Sequence, residues 1–312
     1  MPKKNIVFMG TPDFAVNALD SLNKEHNVVL VISQPDRVNK RGNKITYCPV
    51  KKYALENNLE IYQPDDINSY ESIELLKNLD IDYIVVVAYG QIIKKEIRAL
   101  PKKKIVNIHA SLLPKYRGAA PIHRAIMNRD EETGVTIMEV GPGLDKGQMF
   151  LKASTKIADK NLIVLHDELA KMGAGLIIKY IAENEYEEII GTPQDESQAT
   201  YAKKVSKNSG KLDFVDVNIE LGKIKGLYPR PGASFSYNNK NVKALDGEIY
   251  SNKSDADIEI GCIIDVLEDG FLVNCANGIL KISRIQFPGK KEMSVEDYLK
   301  GNILKRNTDL RW

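Results

Sequence analysis

Cysteine is scarce in this 312-residue chain, and Cys48, Cys262 and Cys275 are odd in number with no Cys-x-x-Cys spacing. That argues against a disulfide framework or a thiolate zinc site and points to a reducing compartment. No apolar run approaches the roughly eighteen residues of a membrane span. The start, Met1-Pro2-Lys3-Lys4-Asn5, enters an apolar run without the long h-region of a signal peptide. Neither a signal peptide nor a membrane span is therefore expected, and the cytoplasm is the expected location. Charge of one sign is missing too: 44 Lys+Arg face 42 Asp+Glu. Any contact with nucleic acid must then come from local basic clusters. Gly10 stands alone in the first strand-to-helix turn, where a dinucleotide fingerprint needs three glycines. A nicotinamide cofactor is therefore not expected, and no clustered ligands suggest a metal.

What is present is an alternation of apolar runs and helical patterns. Residues 5–9 and 27–33 are near-continuous apolar stretches, as strands of a parallel sheet should be. Between them Phe14, Ala18, Leu19 and Leu22 recur at helical spacing, with Thr11 placed to cap the helix and Pro12 at its first position. Strand, helix, strand opens a doubly wound α/β domain. The pattern continues with helices over 50–57, 72–79 and 92–100 and a short strand at 60–62. The most apolar strand, 82–88, should be central. Strands then follow at 102–108, 134–139 and 149–157, with a helix beginning at 123 and a long one over 161–184. From about residue 191 the chain turns polar and is broken by proline. Beyond that, short β segments are separated by turns such as Asp269-Gly270 and Asn277-Gly278. A small all-β barrel of the OB type is expected there. Its residues 206–312 hold 16 Lys+Arg against 15 Asp+Glu, so only clusters such as Lys203/Lys204/Lys207/Lys211 would favour nucleic acid.

Residues 34–52 form a different kind of segment. Arg37, Lys40, Arg41, Lys44, Lys51 and Lys52 oppose Asp36 alone, a net charge of +5. Asn39, Gly42 and Asn43 argue against regular structure in its middle. Most charge runs are solvated faces. This one leaves the carboxyl end of the second strand, where doubly wound folds bind ligands, and so reads as a loop that grips phosphates.

The chemistry concentrates in 105–148. Asn107 and His109 sit at a strand end, and Gly143-Leu-Asp-Lys-Gly147 brings a glycine-flanked carboxylate, Asp145, some forty residues later. His26, His123 and His166 lack such company. Attack of an amine on a carbonyl builds negative charge on oxygen and positive charge on nitrogen. An amide and an imidazole can hold the first, and a carboxylate can orient the imidazole and accept the amine proton. Ser111 lacks the setting of an activated nucleophile, so direct acyl transfer is favoured over a covalent intermediate.

Asn107-Ile-His-Ala-Ser-Leu-Leu-Pro-Lys-Tyr-Arg-Gly118, with Gly134-Val-Thr-Ile-Met138 and Gly143-Leu-Asp-Lys-Gly147, resembles the signature of the 10-formyltetrahydrofolate-dependent formyltransferases. Gly10-Thr-Pro-Asp-Phe14, Gln34-Pro-Asp-Arg37, Val86-Val-Ala-Tyr-Gly90, Arg117-Gly-Ala-Ala-Pro-Ile122 and Tyr201-Ala-Lys-Lys-Val205 are similar to the methionyl-tRNA branch of that family. The resemblance spans nearly the whole chain. It implies a Rossmann-like formyltransferase domain at 1–189, a linker at 190–207 and the C-terminal β-barrel domain, contacting tRNA, at 208–312. It implies a formyl group from 10-formyltetrahydrofolate and an initiator methionyl-tRNA acceptor; nothing in the sequence calls for a metal or for more than a monomer. Asn107 and His109 would hold the formyl oxygen, with Asp145 orienting His109. Ser111, Leu112, Leu113 and Pro114 would bind the folate, with Val87, Ala88, Tyr89 and Gly90 beside the pterin. Arg41 would reach the tRNA acceptor end, with Arg37, Lys40 and Lys44 around it. Gly141, Pro142, Lys146, Gln148 and Arg230 depart from the family pattern. A formyltransferase acting on a sugar-nucleotide amine, a formyltetrahydrofolate hydrolase domain, and a non-catalytic RNA-binding module are the competing readings.

Overall fold

The computed structural model describes residues 2–38 and 45–312. Lys40, Arg41 and Lys44, and the irregular middle expected at Asn39, Gly42 and Asn43, lie outside the described residues. In chain order the elements are β1 (Asn5–Gly10), α1 (Val16–Glu25), β2 (Asn27–Ile32), β3 (Arg37–Val38), β4 (Ile45–Thr46), α2 (Pro49–Glu56), β5 (Ile61–Tyr62), α3 (Tyr70–Lys77), β6 (Tyr83–Val87), α4 (Lys95–Arg98) and β7 (Lys104–His109). Then come α5 (Pro121–Met127), β8 (Glu132–Glu139), β9 (Met149–Lys156), α6 (Leu162–Tyr186), α7 (Val217–Leu227), β10 (Ala233–Tyr237), β11 (Lys240–Ser251), β12 (Ile263–Leu267), β13 (Gly270–Cys275), β14 (Gly278–Gln286), β15 (Met293–Ser294) and α8 (Val295–Leu299). The chain divides into two compact units. The first holds residues 1–118, 134–155 and 166–201, and the second 119–133, 156–165 and 202–312.

The first unit is built on a sheet of order β5-β2-β1-β6-β7-β8-β9. The strands from β5 to β7 run parallel and β8 runs antiparallel to β7. β6, buried at every position, is the middle strand, as its apolar run predicts. Alternate residues face opposite ways. Val7, Met9, Ile84, Val86 and Ile105 meet Leu76 and Ile97 of α3 and α4 on one face. On the other, Tyr83 meets Tyr180 of α6, with ring centroids 6.3 Å apart. Helices therefore lie on both faces, as a doubly wound sheet requires. The chain leaves β1 towards β2 and later returns to β6 on its other side. The carboxyl ends of β1 and β6 thus flank the switch point where such sheets bind ligands.

Two local expectations give way to long-range bonds. Thr11 does not cap a helix. Its hydroxyl donates to the Tyr89 carbonyl at 3.1 Å and accepts from the Gln34 N–H at 3.2 Å, tying together the ends of β1, β6 and β2. The helix expected over 92–100 forms only as α4. The Asn68 side chain takes the Lys94 N–H at 2.8 Å and donates to the Ile92 carbonyl at 2.9 Å, which holds this stretch extended. No helix among the described residues is long and apolar enough to cross a membrane.

The second unit carries an antiparallel sheet of order β10-β11-β14-β13-β12, with β15 beside β14. Residues 307–310 span the two edges of that order. Leu310 accepts from Ser236 N–H of β10 at 2.8 Å and donates to Gly261 at 2.9 Å, and Ile263 of β12 donates to Thr308 at 3.0 Å. Phe235, Phe271, Leu280 and Ile282 form its core with Leu221 and Ile224 of α7. Glu220 of α7 is wholly buried in this unit. Burial first, and then the neighbouring Asp213 carboxyl, push its pKa up to about 8, against the opposing pull of the Lys223 ammonium 3.0 Å away.

A carboxyl group whose folded pKa lies above its unfolded value stabilises the fold most at low pH. That contribution fades as pH rises through the folded pKa. The midpoint of chemical denaturation, followed through the single tryptophan, Trp312, should therefore fall between about pH 4.5 and about pH 8. Glu220→Gln should flatten that decline and leave the variant more stable than the parent above pH 8.

Candidate active site

β7 ends at the carboxyl edge of the sheet with Asn107, Ile108 and His109. Ile108 turns towards α6, where Gly173 leaves room: a Cβ there would lie 2.7 Å from Ile108 Cγ2. Asn107 and His109, two residues apart, share the opposite face. His109 is buried, and its Nε2 donates to the Tyr116 carbonyl at 2.9 Å. A carbonyl can only accept, so that bond places a proton on Nε2. Nδ1 then faces Asp145 Oδ2 at 3.7 Å, an ion-pair distance rather than a hydrogen bond. The half-buried side-chain amide of Asn107 makes no hydrogen bond to any described residue.

Asp145 adopts a left-handed backbone, φ +51°, a conformation that short polar side chains tolerate when they can bond locally. Its Oδ2 accepts from the Gly118 N–H at 2.7 Å. The loop bearing it is pinned from behind, because the Gln194 amide donates to the carbonyls of Asp145 and Gly147, each at 2.8 Å. Gln194 is in turn held by Arg117, whose Nε donates to its Oε1 at 2.9 Å, while both terminal nitrogens of Arg117 bind Glu196 at 2.9 and 3.0 Å. Arg117 has no exposure to solvent. The hydrogen bond to Glu196, ahead of the opposing effect of burial, raises the Arg117 pKa, and the same bond lowers that of Glu196.

The expected folate segment follows β7 directly. Ser111 is buried and donates to the Lys115 carbonyl at 2.6 Å. Thr136 of β8 donates to the Ser111 carbonyl at 2.7 Å and accepts from Leu113 N–H at 3.2 Å, and Lys152 of β9 donates to the Leu113 carbonyl at 2.5 Å. Burial lowers the Lys152 pKa. Leu113 is in the core, whereas Leu112 and Pro114 are partly exposed. At the end of β6, Ala88 (φ +48°) and Gly90 (φ +96°) are exposed, while Tyr89 sends its ring into the core and Val87 is buried. Burial raises the Tyr89 pKa. Only main chain and small side chains of this turn are therefore presented at the sheet edge.

The basic segment has an ordered base. β3 pairs with β4 through Arg37–Thr46 and Val38–Ile45. Lys51 binds Asp36 at 2.5 Å and Gln63 at 2.7 Å, so one of the six basic residues is neutralised within the stem. Burial would raise the Asp36 pKa, but the bonds from Lys51 and Gln63 hold it below the usual range. Among the residues that depart from the family pattern, Lys146 lies 3.5 Å from Glu196, and Gln148 packs against Gly191.

The Formyl transferase family matches residues 3–179, and the Formyl transferase C-terminal domain matches residues 204–302. A methionyl-tRNA formyltransferase of Alkaliphilus oremlandii is 42% identical over 308 residues, covering 98% of this chain and 99% of its own. That of Clostridium tetani is 43% identical over 307 residues, covering 96% and 97%. The chain belongs to the methionyl-tRNA formyltransferase family. An N-formyltransferase from Helicobacter canadensis, solved with folinic acid and dTDP-3-aminofucose, shares the fold, with a TM-score of 0.66 at 21% identity over 90% of this chain and 98% of that one. The hydrogen bonds around the site draw in residues to which the sequence alone assigned no role, namely Arg117, Gln194, Glu196 and Thr200. Only the position of Arg117 behind the central motif hinted at importance. Its partners lie 77 and 79 residues away.

Gly147 sets the shape of the loop in this formyltransferase. A Cβ there would sit 1.9 Å from the Glu139 carbonyl oxygen, whereas at Gly141 the nearest atom is 3.6 Å away. Gly147→Ala should therefore cost roughly 1–3 kcal/mol in thermal unfolding, and Gly141→Ala within about 0.5 kcal/mol.

Proposed function

We infer that this chain transfers the formyl group of 10-formyltetrahydrofolate to the α-amino group of initiator methionyl-tRNA, giving N-formylmethionyl-tRNA for translation initiation. One observation carries the chemistry: His109 and Asp145 face each other at 3.7 Å beside an Asn107 amide with no hydrogen-bond partner among the described residues. The acceptor is inferred from relatives alike over nearly the full length of the chain. In this reading the amine attacks the formyl carbon directly. A new N–C bond forms and the bond from that carbon to N10 of the folate breaks. Asn107 and His109 hold the oxygen as it gains charge, His109 through Nδ1, which donates when both ring nitrogens carry protons. Asp145 orients the ring and accepts the amine proton, directly or through water, and N10 takes a proton as it leaves.

Ser111, Leu112, Leu113 and Pro114 are assigned to the folate, with Val87, Ala88, Tyr89 and Gly90 beside its pterin. The exposed main chain at Ala88 and Gly90 supports this placement, and the buried Leu113 and Tyr89 side chains restrict those two to backbone contacts. Arg37, Lys40, Arg41 and Lys44 are assigned to the tRNA. The catalytic domain is taken as 1–189, the linker as 190–207, and the tRNA-contacting domain as 208–312. The bridging of β10 and β12 by residues 307–310 supports an OB-like barrel for the last. A monomer acting in the cytoplasm, with protein donors and no metal at the oxyanion, completes the reading.

Release of folate from the formyl donor, measured with charged and uncharged initiator tRNA and with a free amino-sugar nucleotide, tests the acceptor. Release with the sugar and none with Met-tRNA would overturn it. His109→Ala should lower kcat at least about 10²-fold while the melting temperature stays near that of the parent. Normal turnover in that variant would make the site non-catalytic. Arg41→Ala should raise KM for tRNA by roughly tenfold and leave formyl-donor binding unchanged, as loss of one phosphate-facing cation implies. An equal loss for both substrates would give the loop a structural role only.

A further inference from the structure

Residues 194–201 are polar, broken by turns and without hydrophobic period, features that by themselves describe a solvated connector. Their bonds describe something else. We propose that this segment is a strap that positions both His109 and Asp145, with Gln194 as its principal positioning residue. The proposal rests on the reading of His109 and Asp145 as the catalytic pair.

The strap reaches Asp145 through Gln194. One amide nitrogen spans two carbonyls, those of Asp145 and Gly147, and so fixes the loop on both sides of Lys146. The amide oxygen is taken by Arg117 Nε, and Arg117 donates only, so the direction of the Gln194 amide is set by its partners. Glutamate could keep the bond to Arg117 but would turn an oxygen towards two carbonyl oxygens. Asparagine would be a methylene short. Glutamine alone fits all three partners.

The strap reaches His109 through Thr200. The peptide joining Tyr116 to Arg117 lies between them. Its carbonyl accepts the His109 Nε2 proton at 2.9 Å, and its N–H donates to the Thr200 carbonyl at 2.8 Å. The preceding peptide is held as well, since Tyr116 N–H donates to Thr200 Oγ1 at 2.8 Å. One rigid peptide plane therefore carries the position of the strap to the imidazole. Bonds aligned along such a chain also polarise one another. The same eight residues set the acceptor that aims His109 and the loop that aims Asp145. A shift of the strap moves both.

The test is steady-state kinetics on the full chain with a formyl donor and Met-tRNA, for Gln194→Met, Gln194→Glu and Thr200→Val. Gln194→Met keeps the length of the side chain and removes its polar atoms. It should lower kcat by roughly 10- to 100-fold, the cost of misplacing reacting groups by about an ångström. Both KM values should stay within about twofold, because the groups lost act on the chemical step and not on binding. Gln194→Glu should be at least as impaired. Thr200→Val should shift the imidazole nuclear magnetic resonances of His109 and lower kcat with the same KM pattern, and it serves as the decisive variant where a Gln194 variant does not fold. The proposal is overturned by kcat within about twofold of the parent in folded variants, by raised KM values with kcat unchanged, or by unmoved His109 resonances in Thr200→Val. Where the parent chain proves to formylate an amino-sugar nucleotide instead of tRNA, the same variants are assayed with that acceptor. A wrong acceptor then defeats the functional reading while the strap is still judged on its own result.

Discussion

The guanidinium of Arg117 has no exposure to solvent, and a charge so placed must be paired on every side. Its planar fork accepts that demand: two nitrogens close on the Glu196 carboxylate and the third on Gln194. Meeting this one requirement draws a segment almost eighty residues distant in sequence across the end of the sheet. The neighbours of Arg117 then become the supports of the site. Tyr116, before it, receives the His109 proton, and Gly118, after it, donates to Asp145. Three consecutive residues thus anchor the imidazole, the strap and the carboxylate.

The sheet supplies the edge on which this happens. Parallel strands bring the carboxyl ends of β1, β6 and β7 side by side, and the strand order reverses beside β1, the place where doubly wound sheets bind ligands. Turns at that edge bend sharply, with Ala88, Tyr116 and Asp145 in the left-handed region that non-glycine residues enter at some cost. Each has a specific bond or exposed position that keeps it there. Asp145 is stabilised by Gly118, Tyr116 by Thr200 and His109, and Ala88 presents its backbone outward. At this edge the strain falls on residues that hold or present the groups of the candidate site.

Much of the scaffold was legible because it is written locally. The runs in β1, β2 and β6 are apolar at nearly every position, and burial on both faces of a parallel sheet is what such runs mean. The spacing of Asn107 and His109 placed both on one face of a strand, and the glycines around Asp145 signalled a tight loop. Local reading failed where a side chain far along the chain captured the backbone. Thr11 has the chemistry of a helix cap, yet Tyr89 and Gln34 claim its hydroxyl. Residues 92–94 follow a helical pattern, yet Asn68 claims their peptide groups.

Most strands and helices of the first unit, the residues assigned to acyl transfer and the position of the basic segment could be read from the chain alone, because apolar periodicity, turn chemistry and side-chain type are local properties; α7 and α8, in a stretch expected to be all β, could not. How those residues are held follows from the assembled fold. It set Nδ1 of His109 against Asp145 by occupying Nε2, turned the Tyr89 ring into the core, and made part of an apparent connector the support of the site. The bonds that hold Asp145 and the 194–201 segment join groups tens of residues apart, and the Tyr89 ring packs against distant strands and helices, so this geometry exists only once the sheet has brought them together.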